Sequence, residues 1–580
     1  MLAHWWRDNL ERFRLQLAKQ DALFPLALLG CAAGALSGLV IVAFRLLVEE
    51  SPAVLFPGGD SENFEGLGWA ARMLLPLAGG LLLIAMFHWG GKGIQVLGVA
   101  RVMERMAYHQ GYLKLRGFLL QFFGAATALI GGFSVGREGP HVYLGAAGSS
   151  LMGQWLSLPN NSIRTLVGCG TAAGIAASFN TPLAGVIFAL EVVMLEYTLA
   201  SFIPVILAAA SATLVSVAVF GNQPVFDISI QRLSDLSDLI FILMLGVAAG
   251  ILSAGFIQLV QTIAHHSRSM QQWQRLLLAT LTASLFGLLL PQVMGVGYDS
   301  VHQALAGSLG LSMLALLVIG KLVATSACVG LGIPGGMIGP SLFIGAMLGG
   351  LFSHLSALAG IDVNPGFFAL LGMGAVMGAS LQAPLAALVA MMELTYSPGI
   401  IMPGMVVIVI ASLTSSELFG KESLFITMLK ASGMEYSSKP VHTALRRIGV
   451  AGSMSKSFVR SDAVIDHDKA AALLANKPEW ILVNLERKPS VLLRAVDLAN
   501  VLEREFEQGE GGRLRNIDLM GIPAKRIEIK AVHLQATLLE ALELLDSASV
   551  EALYVQRQTA PGIHHIYGIL TREMVESAYQ

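Results

Sequence analysis

The sequence predicts an all-α polytopic membrane domain made of two related halves of broken, tilted helices, followed by a small α+β tail. Three observations predict it: charge is unevenly distributed, the chain repeats at an offset of about 200 residues, and glycine clusters interrupt its apolar stretches. Of the 580 residues, 54% are hydrophobic and only 13% are charged, with a mean hydropathy of +0.67. Ordinary soluble domains are about 25% charged. From Ser432 onward 37 of 149 residues are charged, against 39 in the first 431. The first part therefore has the composition of a bilayer domain and the second that of a soluble one. A net charge of −2 and a pI near 6.7 argue against nucleic acid as a partner.

Residues 1–21 are charged and amphipathic, with Trp5 and Trp6 near the start and Arg7, Arg12, Arg14 and Lys19 ahead of the first span. They predict a cytoplasmic amphipathic helix at the membrane interface. The apolar run from Ala22 to about Leu47 is too long for the core of a signal peptide. Further apolar stretches lie near 68–88, 114–134, 163–196, 200–220, 237–263, 276–294, 312–333, 336–360, 366–394 and 399–419. Gly and Pro interrupt many of them. Such breaks are tolerated at membrane depth only where backbone is buried in protein or lines a polar cavity, so re-entrant helices are expected. The membrane domain spans 22–431, with halves of about 22–220 and 235–431. The short N-terminus and compact loops point to a bacterial-type inner membrane, with both termini cytoplasmic.

The repeat is visible in Gly170–Glu191, which lies over Gly372–Glu393 at an offset of 202. Ser178, Pro182, Leu183, Ala184 and Glu191 match Ser380, Pro384, Leu385, Ala386 and Glu393; slightly upstream, Pro140 and Gly145 match Pro340 and Gly345. Chance explains isolated Gly or Ala matches in membrane sequence. It does not readily explain a shared Pro-Leu-Ala followed by an acid nine positions after the proline. Related halves with broken helices at corresponding places point to a transporter or channel, with the substrate near the midplane between them.

Three glycine-rich breaks, Gly90–Gln95, Gly136–Pro140 and Gly330–Pro340, each precede the expected start of a helix. A helix start presents unpaired N–H groups and the positive end of a dipole, and so suits an anion. Ionisable groups at this depth are costly and usually functional. Glu138, in a Gly-flanked break before a proline, can compete with an anion for those N–H groups and thereby gate it. Arg137 has two readings, a counter-charge with a structural partner or an interfacial anchor. Glu191 and Glu393 are expected to cap or brace helices. Lys321, inside an apolar stretch, either snorkels or raises the potential of an entrance. Cys31, Cys169 and Cys328 stand far apart, without metal-type or disulfide spacing. His88, His109 and His141 stand apart too, and no His-Glu-x-x-His pattern occurs, so neither a metal site nor an intramembrane enzyme is expected.

At these residues the sequence resembles the CLC family of chloride channels and chloride/proton exchangers, over about 22–431. Gly136-Arg137-Glu138-Gly139-Pro140 is similar to the family's gating-glutamate motif, and Gly332–Pro340 to its partner in the second half. The resemblance implies antiparallel (inverted) repeats and a homodimer with an anion pathway in each subunit. It further implies that Glu138 is the external gate and that the N–H groups of Met337 and Ile338 hold a central chloride or other small anion. Arg137, Gly139, Gly93 and Ile94 flank the same pathway. Three departures stand out. Lys92 occupies the place of an anion-coordinating serine. Phe425 occupies the place of a tyrosine that faces the central anion. Val192 occupies the place where exchangers carry a second glutamate on the proton route, as in many of the family's channels. A lysine ammonium is a point charge with three donors, and Lys92 could hold the anion, pair with Glu138, or sit neutral or turned away. The reading leans to channel-like or weakly proton-coupled flux, with a chloride/proton antiporter of non-standard proton route, or selectivity for another anion, as the alternative.

The tail divides into units of about 447–505 and 516–580, each read as a strand followed by a helix: Trp480–Asn484 then Val491–Leu502, and Ala552–Gln556 then Tyr567–Val575. They resemble a pair of cystathionine-β-synthase (CBS) domains. That resemblance implies adenine nucleotide as a ligand, with a hydroxyl for phosphate and an acid for ribose. The second unit supplies Thr571 but Met574 at the acid position; the first supplies Asp497 but Arg494 in place of the hydroxyl. Each half-site is incomplete, so no cofactor is required and a structural, dimerising role is favoured.

Overall fold

The computed structural model describes residues 11, 13–17, 22–50, 56, 62–91, 97–222, 225–226, 236–361, 363–434, 444–485, 488–507, 516–560 and 563–578. Trp5, Trp6, Arg7, Arg12, Lys19, Lys92, Gly93 and Ile94 lie outside these described residues. The chain forms two compact units. One comprises Leu26–Leu156 and Ile163–Tyr436, the other Met1–Pro25, Ser157–Ser162 and Ser437–Gln580.

The larger unit is helical. Its helices are α1 (Leu23–Arg45), α2 (Trp69–Gly90), α3 (Val99–Tyr108), α4 (Leu115–Ile130), α5 (Glu138–Trp155), α6 (Asn160–Phe179), α7 (Pro182–Phe188) and α8 (Leu199–Phe220) in the first half. The second half holds α9 (Leu236–His266), α10 (Gln272–Leu289), α11 (Tyr298–Leu305), α12 (Leu311–Gly330), α13 (Ile338–Leu358), α14 (Pro365–Leu381), α15 (Pro384–Thr395), α16 (Ile401–Leu413) and α17 (Leu424–Ala431). Among the described residues, seven helices are long and apolar enough to cross a membrane. Their outward faces carry Phe24, Leu39, Leu81, Leu214, Ile240 and Ile319, the surface that lipid rather than water accommodates.

The repeat is structural as well as sequential. Residues 131–140 and 331–340 follow the same path: a turn closes α4 or α12, one residue bridges to the other half, and a new helix starts. Gly132 and Gly332 both have positive φ, +72° and +95°, a conformation that costs a glycine little. Close helix crossings match too. A Cβ on Gly145 would lie 2.1 Å from the Gly170 carbonyl oxygen, and one on Gly345 would lie 2.3 Å from that of Gly372. Small residues permit this approach of α5 to α6 and of α13 to α14.

The two halves are also clasped reciprocally. Glu393 accepts from the N–H groups of Leu183 and Ala184 (3.0 and 2.7 Å), at the start of α7. Glu191 accepts from Leu385 and Ala386 (3.2 and 2.7 Å), at the start of α15. Each acid thus satisfies first-turn donors that its partner helix cannot pair internally.

In the smaller unit one six-stranded sheet runs β1 (Phe458–Asp462), β3 (Trp480–Leu485), β4 (Lys488–Arg494), β6 (Ile527–His533), β7 (Ala552–Ala560), β8 (Ile563–Thr571) in spatial order. A short antiparallel pair joins β2 (Val464–Asp466) to β5 (Asn516–Asp518). The helices are α18 (Val450–Ser453), α19 (His467–Ala475), α20 (Ala495–Glu507), α21 (Leu538–Ala548) and α22 (Arg572–Ser577). Parallel β1/β3 with antiparallel β4 is repeated as parallel β6/β7 with antiparallel β8, a pair of CBS-like α+β units.

The expected helices at Val491–Leu502 and Tyr567–Val575 each begin with a strand instead. Val491 and Leu493 enter one core and Leu492 another, and an apolar run buried on both faces has no alternation to reveal it. The two units also exchange their leading segments. Leu445, Ile448, Val450 and Met454 join the second core, whereas Ile517, Leu519 and Ile522 join the first. The described N-terminal residues pack here too: Leu15 lies against the second core, and Glu11 accepts from the Tyr567 hydroxyl (2.5 Å).

Candidate functional site: a buried carboxylate between two helix starts

The loops that precede α5 and α13 meet in the larger unit. Gly136 N–H donates to Gly336 O (2.8 Å) and Gly336 N–H to Gly136 O (2.6 Å), an antiparallel bridge between the halves. The bridge sets the starts of α5 and α13 side by side. Ser134 and Thr325 share a hydroxyl–hydroxyl hydrogen bond (3.0 Å) close by. Gly139 packs on the same clasp, where a Cβ would lie 2.7 Å from Gly336 Cα. A Cβ on Gly98, just before α3, would lie 3.7 Å from the Gly335 carbonyl oxygen. A third helix start therefore reaches the place.

Glu138, the first residue of α5, is fully buried there. Its Oε2 accepts from the Gly339 N–H at 3.0 Å, and its Oε1 from the Tyr298 hydroxyl at 2.9 Å. A Cβ on Gly136 would lie 2.2 Å from Glu138 Oε2, so the carboxylate fits only because that residue is glycine. Met337 caps α13 and Ile338 begins it; both are buried one and two residues ahead of the amide that Glu138 uses.

Other charges hold this seat rather than fill it. Arg137 pairs with Glu49, and its guanidinium lies 5.2 Å from the centre of the Tyr298 ring. Tyr298 N–H donates to Glu62 (2.9 Å). Burial pushes the Glu62 carboxyl above the usual carboxylate range, opposed by Arg137 and the Tyr298 N–H. Lys321 neither snorkels nor reaches an entrance: it is fully buried and donates to the carbonyls of Val293 (3.1 Å) and Gly295 (2.8 Å). His141, one turn along α5, is buried and shares a hydrogen bond with Ser178 (2.7 Å).

A cavity of about 360 Å³ is lined by Ile333 and Pro334, just ahead of the clasp in sequence, and by Met428, Arg268 and Arg275, among others. Two guanidinium groups give it a positive wall. Phe425, near the start of α17, is buried edge-on to Phe188, with ring centres 6.2 Å apart. Ser423 caps α17 through the Ile426 N–H (3.2 Å). Val192 is buried in a π-helical stretch, Ala189–Met194, that continues α7.

Sequence reasoning missed two groups that touch Glu138. Gly339 stands in a motif already singled out, but its offset from Met337 and Ile338 depends on where α13 starts. Tyr298 had only a flanking glycine as signal; it arrives by tertiary folding, 160 residues from the carboxylate. In the smaller unit, Asp497 and Thr571 line one cleft of about 750 Å³ with Arg494, Lys525 and Arg572. The Thr571 hydroxyl accepts from Met574 N–H (3.4 Å), capping α22.

Interlocked helical halves around a buried carboxylate at helix starts define a multi-pass membrane protein. Residues 79–416 match the model of the voltage-gated chloride channel family, and the chain belongs to this CLC family. It is 33% identical to a ClcB-like chloride channel protein of Ralstonia nicotianae over 400 residues, 67% of this chain and 92% of that one. It is 28% identical to the H(+)/Cl(−) exchange transporter ClcA of Vibrio parahaemolyticus over 443 residues, 74% and 94% of the two chains. Among solved structures it resembles a slow cyanobacterial Cl−/H+ antiporter (TM-score 0.62, 22% identity, 70% of this chain and 97% of that). A eukaryotic CLC transporter covers 97% of this chain and 98% of its own (TM-score 0.59, 18% identity).

Proposed function

We propose that this protein moves chloride or a related small anion across a bacterial inner membrane, through a pathway in each subunit of a homodimer with cytoplasmic termini, and that Glu138 is its gate. One observation carries the reading. The carboxylate occupies backbone N–H at the start of α13, where an anion would otherwise bind. Carboxylate and anion compete for the same donors, so the pathway is shut while Glu138 is ionised and seated. Protonation removes the charge that holds it and frees the donors.

With Val192 in place of an acid, we read the flux as channel-like or weakly proton-coupled. The opposing reading is full chloride/proton exchange by another route, and it is favoured by the exchange activity named for the ClcA relatives. Reversal potentials of reconstituted protein under imposed chloride and pH gradients separate the two. A potential that follows the chloride gradient alone supports the channel reading, and one displaced by the pH gradient supports exchange. Glu138→Ala should give pH-insensitive flux without coupling; unchanged pH dependence in that variant would falsify the gate.

A further inference from the structure

The hydroxyl of Tyr298 is a second donor to the buried carboxylate. It comes from α11, outside all three glycine-rich breaks, and reaches the oxygen of Glu138 that the α13 amide leaves open. We propose that Tyr298 is a positioning residue, a hydrogen-bond latch that holds the ionised gate in its seat and so sets the pH at which the pathway opens. The proposal rests on the gating reading of Glu138 and deepens it.

The latch is built to stay in place. The ring of Tyr298 packs edge-on to Phe226 (5.9 Å between centres) and tilted against Phe179 (6.5 Å). Its backbone N–H is tied to Glu62. The turn before it is drawn in by Lys321 through the carbonyls of Val293 and Gly295. Gly297, immediately ahead, has φ +84° and turns the chain sharply into α11. A hydroxyl fixed in this way loses little further freedom when it donates to the carboxylate.

The groups that face the seat explain why the latch matters. From its own element Glu138 has Arg137 and His141 as neighbours. Arg137 is engaged by Glu49, which Arg45 also holds (3.1 Å). From α11 and its approach come Tyr298, Asp299 and the Glu62 bound to its backbone; from α12 comes Lys321, turned to backbone carbonyls. Among the described residues, the direct contacts to the carboxylate are therefore one amide and one hydroxyl. A bond donated to a carboxylate favours its ionised form, and bonds to charged groups are stronger than neutral ones. Without the hydroxyl the seat loses one of these two donors, and the pathway should open at higher pH.

The test uses full-length protein in liposomes, with chloride efflux recorded against external pH for wild type, Tyr298→Phe, Glu138→Gln and the double variant. Phenylalanine keeps the ring packing and removes only the donor. The expected result is a Tyr298→Phe profile with its midpoint about one pH unit more alkaline, a several-fold higher flux where wild type is mostly shut, and the same acid plateau. In the Glu138→Gln background, already flat with pH, Tyr298→Phe should change nothing. Superimposed wild-type and Tyr298→Phe profiles, with Glu138→Gln flat, would overturn the latch and leave the gate standing. A Glu138→Gln variant that keeps the wild-type profile would overturn both. A Tyr298→Phe shift that persists in the Glu138→Gln background would show that the hydroxyl acts elsewhere, and would also overturn the latch.

Discussion

Among the described residues two donors seat Glu138, so single atoms around it should have measurable effects. A methyl at Gly136 would collide with Oε2 of the seated gate. Gly136→Ala is therefore expected to displace the carboxylate and raise chloride flux at neutral pH several-fold in liposomes, provided melting in detergent stays near wild type. A shut, wild-type-like flux in a stable Gly136→Ala protein would count against a tight seat. Lys92 is argued from the sequence alone. A full positive charge binds an anion more tightly than a hydroxyl does, so Lys92→Ser should alter the relative flux of chloride, nitrate, bicarbonate and fluoride. Identical ion rankings would remove Lys92 from the pathway. At this scale the sequence pointed to the place, because Glu138, Arg137, Met337 and Ile338 stand in two short glycine-rich breaks. It was silent on Tyr298, because a hydroxyl 160 residues away has no local signature, and on Gly339, because a one-residue shift in a helix start moves the donor.

Among the elements, the paired caps at the starts of α7 and α15 offer the clearest test. Each carboxylate satisfies two first-turn amides, and loss of a cap typically costs about 1 kcal/mol. Glu191→Ala and Glu393→Ala should each lower stability by about that amount, to similar extents, in thermal unfolding in detergent. A large loss from one and none from the other would break the symmetry. At Gly345 the obstacle to a side chain is a backbone carbonyl that cannot rotate away. Gly345→Ala should therefore cost ~1–3 kcal/mol, in the range of other overpacked sites, and an unchanged melting temperature would show that α13 and α14 can part. The repeat was readable because these contacts demand glycine, proline and acid at fixed places. The strands β4 and β8 were not, since an apolar run buried on both faces looks the same in a helix.

For the molecule as a whole, acidity should act on the smaller unit separately from the gate. Partial desolvation and Arg557 depress the pKa of the exposed His533 below its ordinary value, with Glu540 opposing. Its Nδ1 accepts from Gln535 N–H (3.3 Å), which requires the neutral ring. A histidine that resists protonation when folded contributes stability that is complete above its unfolded pKa of about 6.5 and declines as pH falls below it. Melting of the C-terminal unit should therefore weaken as pH falls below about 6.5, and His533→Gln should flatten that dependence. The cleft that joins Asp497 to Thr571 can be examined in the full chain by titrating ATP. Saturable heat lost in Thr571→Ala would make the cleft a composite nucleotide site, whereas no heat would leave the unit a structural one. Composition alone separated the two parts of the chain, because the bilayer excludes charge; the exchange of leading segments between the CBS-like units has no such signal.

The reciprocal acids also say something about how the chain comes into being. Leu183 and Ala184 leave the ribosome long before Glu393, so the amino end of α7 must wait through some two hundred residues of synthesis for the carboxylate that completes it. Until then those amides are open to water, headgroups or an insertion partner, and the first half is an unfinished object. A chain that stops after the first half would expose the same unsatisfied edge permanently. Truncation, duplication or recombination at the midpoint should therefore be punished during biogenesis, before transport is ever at stake.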